Sequence, residues 1–280
     1  MQLSVVLETC DGQTLDLPRH YNALLQGFVY RQLDRWLATR LHDRGFADPH
    51  NMTRRLKLFT FSRLLPAALP GRKPGRWMGR DGRIRFSGPV RLVVASPLAA
   101  FLHAFAGHLL ARGRARLGTT RLRVVDVAVA VPPPLGKPLV VEALSPITVY
   151  RTLTAAGRRR TRYYTPEEPE FAPLVLANLR RKLRTFQVAA LALGEEVGED
   201  AGDVGPAEAA TAVQPLRVGA RDRKVLRYRD TVIEGWMGRY RLDLPAPLMR
   251  MALDAGLGAK NSQGFGCIVP IAAPAREEAA

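Results

Sequence analysis

Gly256-Leu257-Gly258-Ala259-Lys260-Asn261-Ser262-Gln263-Gly264-Phe265-Gly266 places four glycines in eleven residues, close to the C-terminal end of the chain. Glycine lets the backbone turn at φ > 0 and approach a ligand closely. At the centre, Lys260, Asn261, Ser262 and Gln263 supply a cation and several hydrogen-bonding side chains. The order around the loop decides what it can be. A helix is expected over Pro247 to Ala255 and a strand over Cys267 to Ile271, so the loop runs from helix to strand. Dinucleotide and P-loop sites run from strand to helix and seat their anion on a helix N-terminus. Asn261 also stands where GxGxxG needs its third glycine, and no GK[ST] follows. A nucleotide cofactor is therefore not expected. The reading favoured is a phosphate clamp built from loop N–H groups and Lys260.

Outward from the loop, the chain repeats one element order. Leu3 to Glu8 alternates as a strand does. From Tyr21 to Leu41, Leu25, Phe28, Val29, Leu33, Trp36, Leu37 and Leu41 recur at helical spacing. Strand-like runs follow at Lys57–Phe61, Arg83–Phe86 and Arg91–Ala95. A second helix is expected over Leu98 to Arg112, with Phe101, Phe105, Leu109 and Leu110 inward, then a strand over Leu122 to Val131. This β-α-β-β-α-β order is the ferredoxin-like unit. Pro132-Pro133-Pro134-Leu135-Gly136 punctuates the chain. Beyond it come a strand (Leu139–Val149), a helix (Pro169–Leu193), a pair of strands within Lys224–Asp243, the short helix, the loop and the last strand. The fold class expected is α+β, with two tandem ferredoxin-like domains, 1–131 and 138–274, and a C-terminal glycine-rich loop. Residues 194–212, rich in Gly, Glu and Ala, read as a flexible surface insertion.

Composition points to an anionic partner. Lys and Arg number 42 against 25 Asp and Glu, for a net charge of +17 over 280 residues. Six of the acids fall within the 194–212 insertion, which has no basic residue, so the remainder is more basic still. Nucleic acid or an anionic membrane surface are the partners such an excess serves. No apolar run has the roughly 18–20 residues of a membrane helix, and Met1 to Thr9 reads as a strand rather than a signal peptide. Cys10 and Cys267 have no metal-ligand spacing. A cytoplasmic protein is expected, without a membrane partner.

Several short stretches, taken together, resemble one family. They are Gly235-Trp236-Met237-Gly238, Leu253-Asp254-Ala255-Gly256-Leu257-Gly258 and Gly264-Phe265-Gly266. Earlier ones are Tyr21-Asn22, Leu41-His42-Asp43-Arg44-Gly45, Leu58-Phe59-Thr60-Phe61-Ser62, Leu144-Ser145-Pro146-Ile147 and Asn178-Leu179. In this order they resemble the CRISPR-associated endoribonucleases that process repeat-containing precursor RNA, within the RAMP superfamily of paired ferredoxin-like folds. The resemblance spans roughly residues 1–272 and implies a reaction that uses no metal and no cofactor. The ribose 2′-hydroxyl attacks the adjacent phosphate, leaving a 2′,3′-cyclic phosphate and a 5′-hydroxyl. A base, an acid and a cation suffice, and histidine suits the first two because its ordinary pKa, about 6.5, lies near working pH.

On the residues of this chain, the resemblance places the catalytic histidine at His42, in the Leu-His-Asp-x-Gly turn after the first helix. The bland alternative is a helix-end histidine that complements the dipole. Lys57 is the cation expected at the phosphate, against a plain solvated lysine. Tyr30 is the third catalytic candidate, although twelve residues of regular helix would set it about 120° away from His42. His20, roughly 33 Å along that helix, lies too far to join His42; His50 is the nearest rival, and His103 and His108 read as structural. Asp43 beside His42 raises a metal-hydrolase reading for which no further ligands are placed, so no metal is expected.

RNA contacts are expected from Gly256, Gly258, Lys260, Asn261, Ser262, Gln263, Gly264 and Gly266. Further contacts are expected from Arg158, Arg159, Arg160 and Arg162, interleaved with Tyr163 and Tyr164, and from a stripe containing Arg180 and Arg181. Phe265 reads as a core anchor. The partner implied is CRISPR repeat RNA or precursor guide RNA, with effector-complex subunits and a homodimer left open. The alternative class is a noncatalytic subunit that holds the repeat or guide, since loop and charge serve binding equally well.

Overall fold

A computed structural model describes residues 1–70, 73–135, 137–155, 158–196 and 212–271. Two antiparallel sheets form its frame. In the first, Gln2–Thr9 lies between Thr120–Val129 and Val90–Ala95. Thr60–Phe61 and Leu65–Pro66 pair along the far side of Val90–Ala95, and Arg114–Leu117 closes the opposite edge as a hairpin with Thr120–Val129. Strand alternation turns Leu3, Val5 and Leu7 toward helices α1 (Asn22–Tyr30) and α3 (Ala99–Arg112). There Phe28, Phe101 and Phe105 are fully buried with them in one core, each worth about 1.5–3 kcal/mol of apolar burial.

The second sheet has the order Ala212–Arg217, Arg239–Asp243, Leu139–Ala143, Ile268–Pro270. Helices α4 (Phe171–Ala192) and α5 (Ala246–Ala255) cover it and share a core of Val141, Tyr240, Leu242, Phe171, Val175 and Leu248. Each sheet interleaves its strands as a βαββαβ unit does, with its first strand central. The α+β architecture of two ferredoxin-like units is thus the one present.

Several expected elements differ in extent. The periodicity from Tyr21 to Leu41 is not one helix. After α1 the chain turns at Arg31–Leu33, and Asp34 starts α2 (Arg35–Thr39) by accepting the Leu37 N–H at 2.8 Å, a standard N-cap. His108 Nδ1 lies 2.7 Å from the Gln32 carbonyl and pins the break. Trp36 and Leu110, expected inward, are exposed. Lys57–Phe61 is not one strand either: a hairpin strand ends at Leu56, Leu58 adopts φ 51, and pairing resumes at Thr60. Leu139–Val149 ends as a strand at Ala143, because Pro146 and Thr148 instead turn their carbonyls to Gly266 and Ala259 of the loop. Lys224–Asp243 is three strands, not two: Arg223–Tyr228, Thr231–Trp236 and Arg239–Asp243. Arg83–Ser87 joins Leu15–Pro18 and Gly75–Met78 in a separate small sheet. Of the 194–212 insertion, 197–211 lie outside the described residues. Glu195 is no idle surface acid, since its carboxylate accepts the Ala99 and Ala100 N–H groups and caps α3.

Candidate functional site

The glycine loop sits where the two halves meet. Its glycines are at φ between 66° and 84°, and added Cβ atoms would collide with fixed neighbours. At Gly264 one would lie 2.6 Å from the Phe61 ring and 2.8 Å from Asn22 Nδ2, and at Gly258 it would strike the Thr148 carbonyl. The first half holds the loop by its carbonyls. Asn22 Nδ2 donates to Gln263 and Gly264 (2.9 and 3.1 Å), Gln26 to Ser262 (2.7 Å) and Thr60 to Phe265 (3.0 Å). From beneath, Lys182 of α4 donates to the Gly256 and Gly258 carbonyls at 2.5 and 3.1 Å. Lys182 is 3% exposed, and burial drives its pKa well below the usual lysine range. Asn261 ties the loop to itself through the Leu257 and Phe265 carbonyls, both at 3.0 Å.

This bonding narrows the expected clamp of loop N–H groups. Leu257, Ala259, Gln263, Gly264 and Gly266 all donate their N–H groups within the protein. Gly256, Gly264 and Gly266 are buried, and Phe265 is a fully buried anchor, as expected. What the loop turns outward is Lys260, itself at φ 59, with its ammonium 5.2 Å over the Tyr150 ring.

Lys260 lines a cavity of about 860 Å³ between the halves, together with Gly258, Asn261, Ser262 and Gln263. Arg54, Lys57, Arg151, Arg159 and Arg181 face the same space, and no Asp or Glu among the described residues lines it. Arg54 and Arg151 were not singled out from the sequence, because isolated strand arginines give no local signal. The other expected arginines scatter. Arg160 is exposed on the hairpin Tyr150–Ala155/Arg158–Tyr163, away from the cavity. Arg162 is paired with Glu168 at 2.7 Å and lies over Tyr164. The side chain of Arg158 lies outside the described residues. The stripe on α4 is no single cationic face: Lys182 is buried, Arg181 and Arg184 approach buried Asp48 at 3.3 and 3.7 Å, and Arg180 is half-buried off the cavity.

His42 lies outside the lining of this cavity and is joined to it through Lys57, which does line it. The chain leaves α2 through a wide π turn, Arg40–Arg44, closed by the Gly45 N–H to the Arg40 carbonyl at 2.8 Å. Leu41 is buried, and the next side chain, His42, is 59% exposed. Its Nδ1 lies 2.7 Å from Asp43 Oδ1. A carboxylate only accepts, so Nδ1 donates in this pair, and in the neutral ring Nε2 is the acceptor. Lys57, at the cavity edge, donates to the His42 carbonyl at 3.1 Å. Burial holds the Lys57 pKa down, Arg229 lowers it further, and Asp43 opposes both.

Tyr30 joins them because the helix breaks. Its ring meets the His42 ring edge-on, centroids 5.6 Å apart at 78°. Lys57 Nζ lies 5.5 Å over the Tyr30 ring and Phe59 packs edge-on at 5.7 Å. The 120° separation expected of an unbroken helix does not apply. The Tyr30 hydroxyl, however, is buried without a hydrogen-bond partner, and burial pushes its pKa up. Asn22, Gln26 and Tyr30, one turn apart on α1, form a single stripe that holds the loop at one end and His42 at the other. His50 lies in a separate turn and His103 is exposed on α3. Among the described residues, no three His, Cys, Asp or Glu side chains gather as a metal site, and no helix is long and apolar enough to cross a membrane.

Residues 131–270 match the family described as CRISPR associated protein Cas6, C-terminal. The chain belongs to the Cas6 family. Among curated proteins it is 24% identical, over 97% of its length and 93% of the relative's, to a CRISPR-associated endoribonuclease Cas6 of Methanocaldococcus jannaschii. Solved structures share the fold. A RAMP protein described as binding different RNA substrates has a TM-score of 0.69 at 21% identity, with 97% of this chain and 99% of that one covered. A Cas6-related protein of Pyrococcus furiosus has a TM-score of 0.71 at 16% identity, covering 98% and 99%. In this Cas6 family member, the loop and the His42 edge lie at opposite ends of one stripe on α1.

Proposed function

We propose that this protein cleaves CRISPR repeat RNA in precursor transcripts to release guide RNAs, without a metal or cofactor, in two domains spanning 1–131 and 138–274. The observation that carries the reading is an exposed imidazole whose backbone carbonyl binds Lys57, a residue lining a cleft with several cations and, among the described residues, no carboxylate. Such a cleft fits a polyphosphate strand. The M. jannaschii relative's name as an endoribonuclease supports the reaction class.

In the step itself, His42 Nε2 takes the ribose 2′-OH proton as the 2′-oxygen bonds to phosphorus. The P–O5′ bond breaks, and the leaving oxygen receives a proton from imidazolium or water. Products are a 2′,3′-cyclic phosphate and a 5′-hydroxyl. Asp43 orients the imidazole, and Lys57 faces the phosphorane charge, a contribution typically of about 10²–10³ in rate. Tyr30 contributes its ring rather than its hydroxyl. The RNA strand runs past Lys260, Arg159 and Arg181 in the cleft.

The same cleft would hold RNA whether or not it is cut, which favours a guide-holding subunit as the second reading. Cleavage of the cognate repeat RNA in EDTA, read on a denaturing gel, separates them. A single cut abolished by His42→Ala with binding retained supports the nuclease. Tight binding without a cut by the wild type leaves the holding role.

A further inference from the structure

The hairpin Arg223–Tyr228/Thr231–Trp236 has no part in the chemistry above. It is inserted between two strands of the second sheet, yet it folds across the first half. Leu226, Tyr228 and Ile233 are buried against Phe265. Tyr228 donates its hydroxyl to Gln26 Oε1, one turn before Tyr30 on α1, and the Arg227 N–H reaches His20 Nδ1 at 3.3 Å. These contacts set the hairpin tip, Arg229-Asp230, on the Tyr228 ring and one turn of α1 from Tyr30.

Arg229 is held there by the turn itself. Its φ is 51°, the positive value that the first residue of a two-residue hairpin turn takes, which fixes the direction in which its side chain leaves the tip. Its guanidinium lies 5.8 Å over the Tyr228 ring. The side chain is exposed and pairs with no carboxylate among the described residues. Its charge reaches the Lys57 ammonium, the two repelling each other. Lys57 over the Tyr30 ring and Arg229 over the Tyr228 ring thus bring two cations to one stripe of α1, where an anion between them would relieve their repulsion.

We propose that Arg229 is a catalytic residue supplied by the second half: its guanidinium contacts the scissile phosphate together with Lys57 and binds the phosphorane more tightly than the ground state. The proposal rests on the cleavage reading above. Arg229 transfers no proton; the 2′-O–P bond forms and P–O5′ breaks as described, while its planar fork can bond two phosphate oxygens at once. Lysine, a point charge, would recover only part of this.

The test is single-turnover cleavage and equilibrium binding of cognate repeat RNA by Arg229→Ala, Arg229→Lys, Arg229→Asn and His42→Ala. Asparagine removes the charge but tolerates the left-handed conformation, so it keeps the hairpin folded if alanine does not. Arg241→Ala, an exposed strand arginine of the second sheet, controls for lost charge. The expected result is a rate about 10²–10³-fold lower for Arg229→Ala and Arg229→Asn. Their affinity stays within about threefold, Arg229→Lys recovers part of the rate, and Arg241→Ala cuts like wild type. Wild-type cutting by Arg229→Asn while His42→Ala is dead overturns the Arg229 assignment alone. Equal losses of rate and affinity overturn it too, as a ground-state contact. If His42→Ala also cuts normally, it is the His42 assignment that fails, and if the wild type binds without cutting, it is the cleavage reading.

Discussion

The glycine loop and the His42 turn are one α1 stripe apart, yet they are built in opposite ways. Most of the loop's backbone bonding is spent inward: carbonyls on Asn22, Gln26, Thr60 and Lys182, and five N–H groups on Pro146, Thr148 and the loop itself. The His42 turn is the reverse, an exposed ring held by Asp43 on one side and the Tyr30 edge on the other. The chain puts rigidity where the halves join and leaves the imidazole we propose as reactive on a lightly held turn. A glycine-rich loop is therefore here a structural joint first, and a ligand surface only through Lys260 and the cleft side of the 3₁₀ turn after it.

Substitutions at the two places should part company most widely. His42→Ala is expected to lower cleavage between about 10² and 10⁴-fold, the usual span for a general acid–base group, while its urea midpoint stays at wild type because the ring is exposed. Gly264→Ala should do the opposite in kind. A Cβ at φ 84° meets Phe61 and Asn22 inside van der Waals distance, so the loss is about 3 kcal/mol of stability or more. Cleavage should then fall only in step with the folded fraction. A stable Gly264→Ala that binds RNA poorly would break the contrast and make the loop a binding surface.

How much of this could be read beforehand differs by element for physical reasons. The first βαββαβ unit and the outline of the second were legible because strand alternation and helical periodicity are local, and the loop because glycine is rare in such density. Ala212–Arg217, the second unit's edge strand, was not read because it follows the 194–212 run and begins at its last residue. The break in the first helix was hidden. Leu25, Val29, Leu33, Leu37 and Leu41 are spaced evenly and all buried, so the periodicity runs straight through a turn. Asp34 was the one signal available, as an N-cap residue followed by a helical stretch. Missing it left Tyr30 and His42 on opposite sides of a helix that is not there. Lys182 gave no sign of burial within Arg180-Arg181-Lys182, since a buried lysine needs carbonyls that only the folded loop brings to it. Arg229 was likewise one charge in a basic run until the hairpin placed it.

A pH series sharpens the contrast from the loop side. Lys182 has its pKa lowered by burial first and by Arg181 second. Between that lowered value and the ordinary one, the unfolded chain binds more protons than the folded chain, so stability rises with pH across that window. Lys182→Met keeps most of the stem and removes the titration. The wild type should therefore gain on Lys182→Met as pH is raised from 7 toward 10, by up to about 1.4 kcal/mol per pH unit. Urea unfolding at several pH values reads the slope directly. Parallel slopes for the two proteins would mean that the ammonium under the loop is not desolvated.

The smallest effect is expected where the two regions meet, at Tyr30. Its hydroxyl makes no hydrogen bond and is pushed toward the neutral phenol by burial, then by Tyr228 and Asp43. A phenol kept protonated at working pH cannot take a proton from ribose, and a buried one cannot reach the phosphate. The ring, by contrast, touches His42, Lys57 and Phe59 at once. Tyr30→Phe should therefore cleave within about twofold of wild type and fold at least as well, since it deletes an unsatisfied buried oxygen. Tyr30→Leu keeps bulk but loses the edge contact and the cation–π face, worth about 0.5–1.5 kcal/mol each. It should slow cleavage by roughly tenfold with RNA affinity unchanged. If phenylalanine is as slow as leucine, the hydroxyl must swing out to the substrate, and Tyr30 would belong with His42 among the groups that move protons.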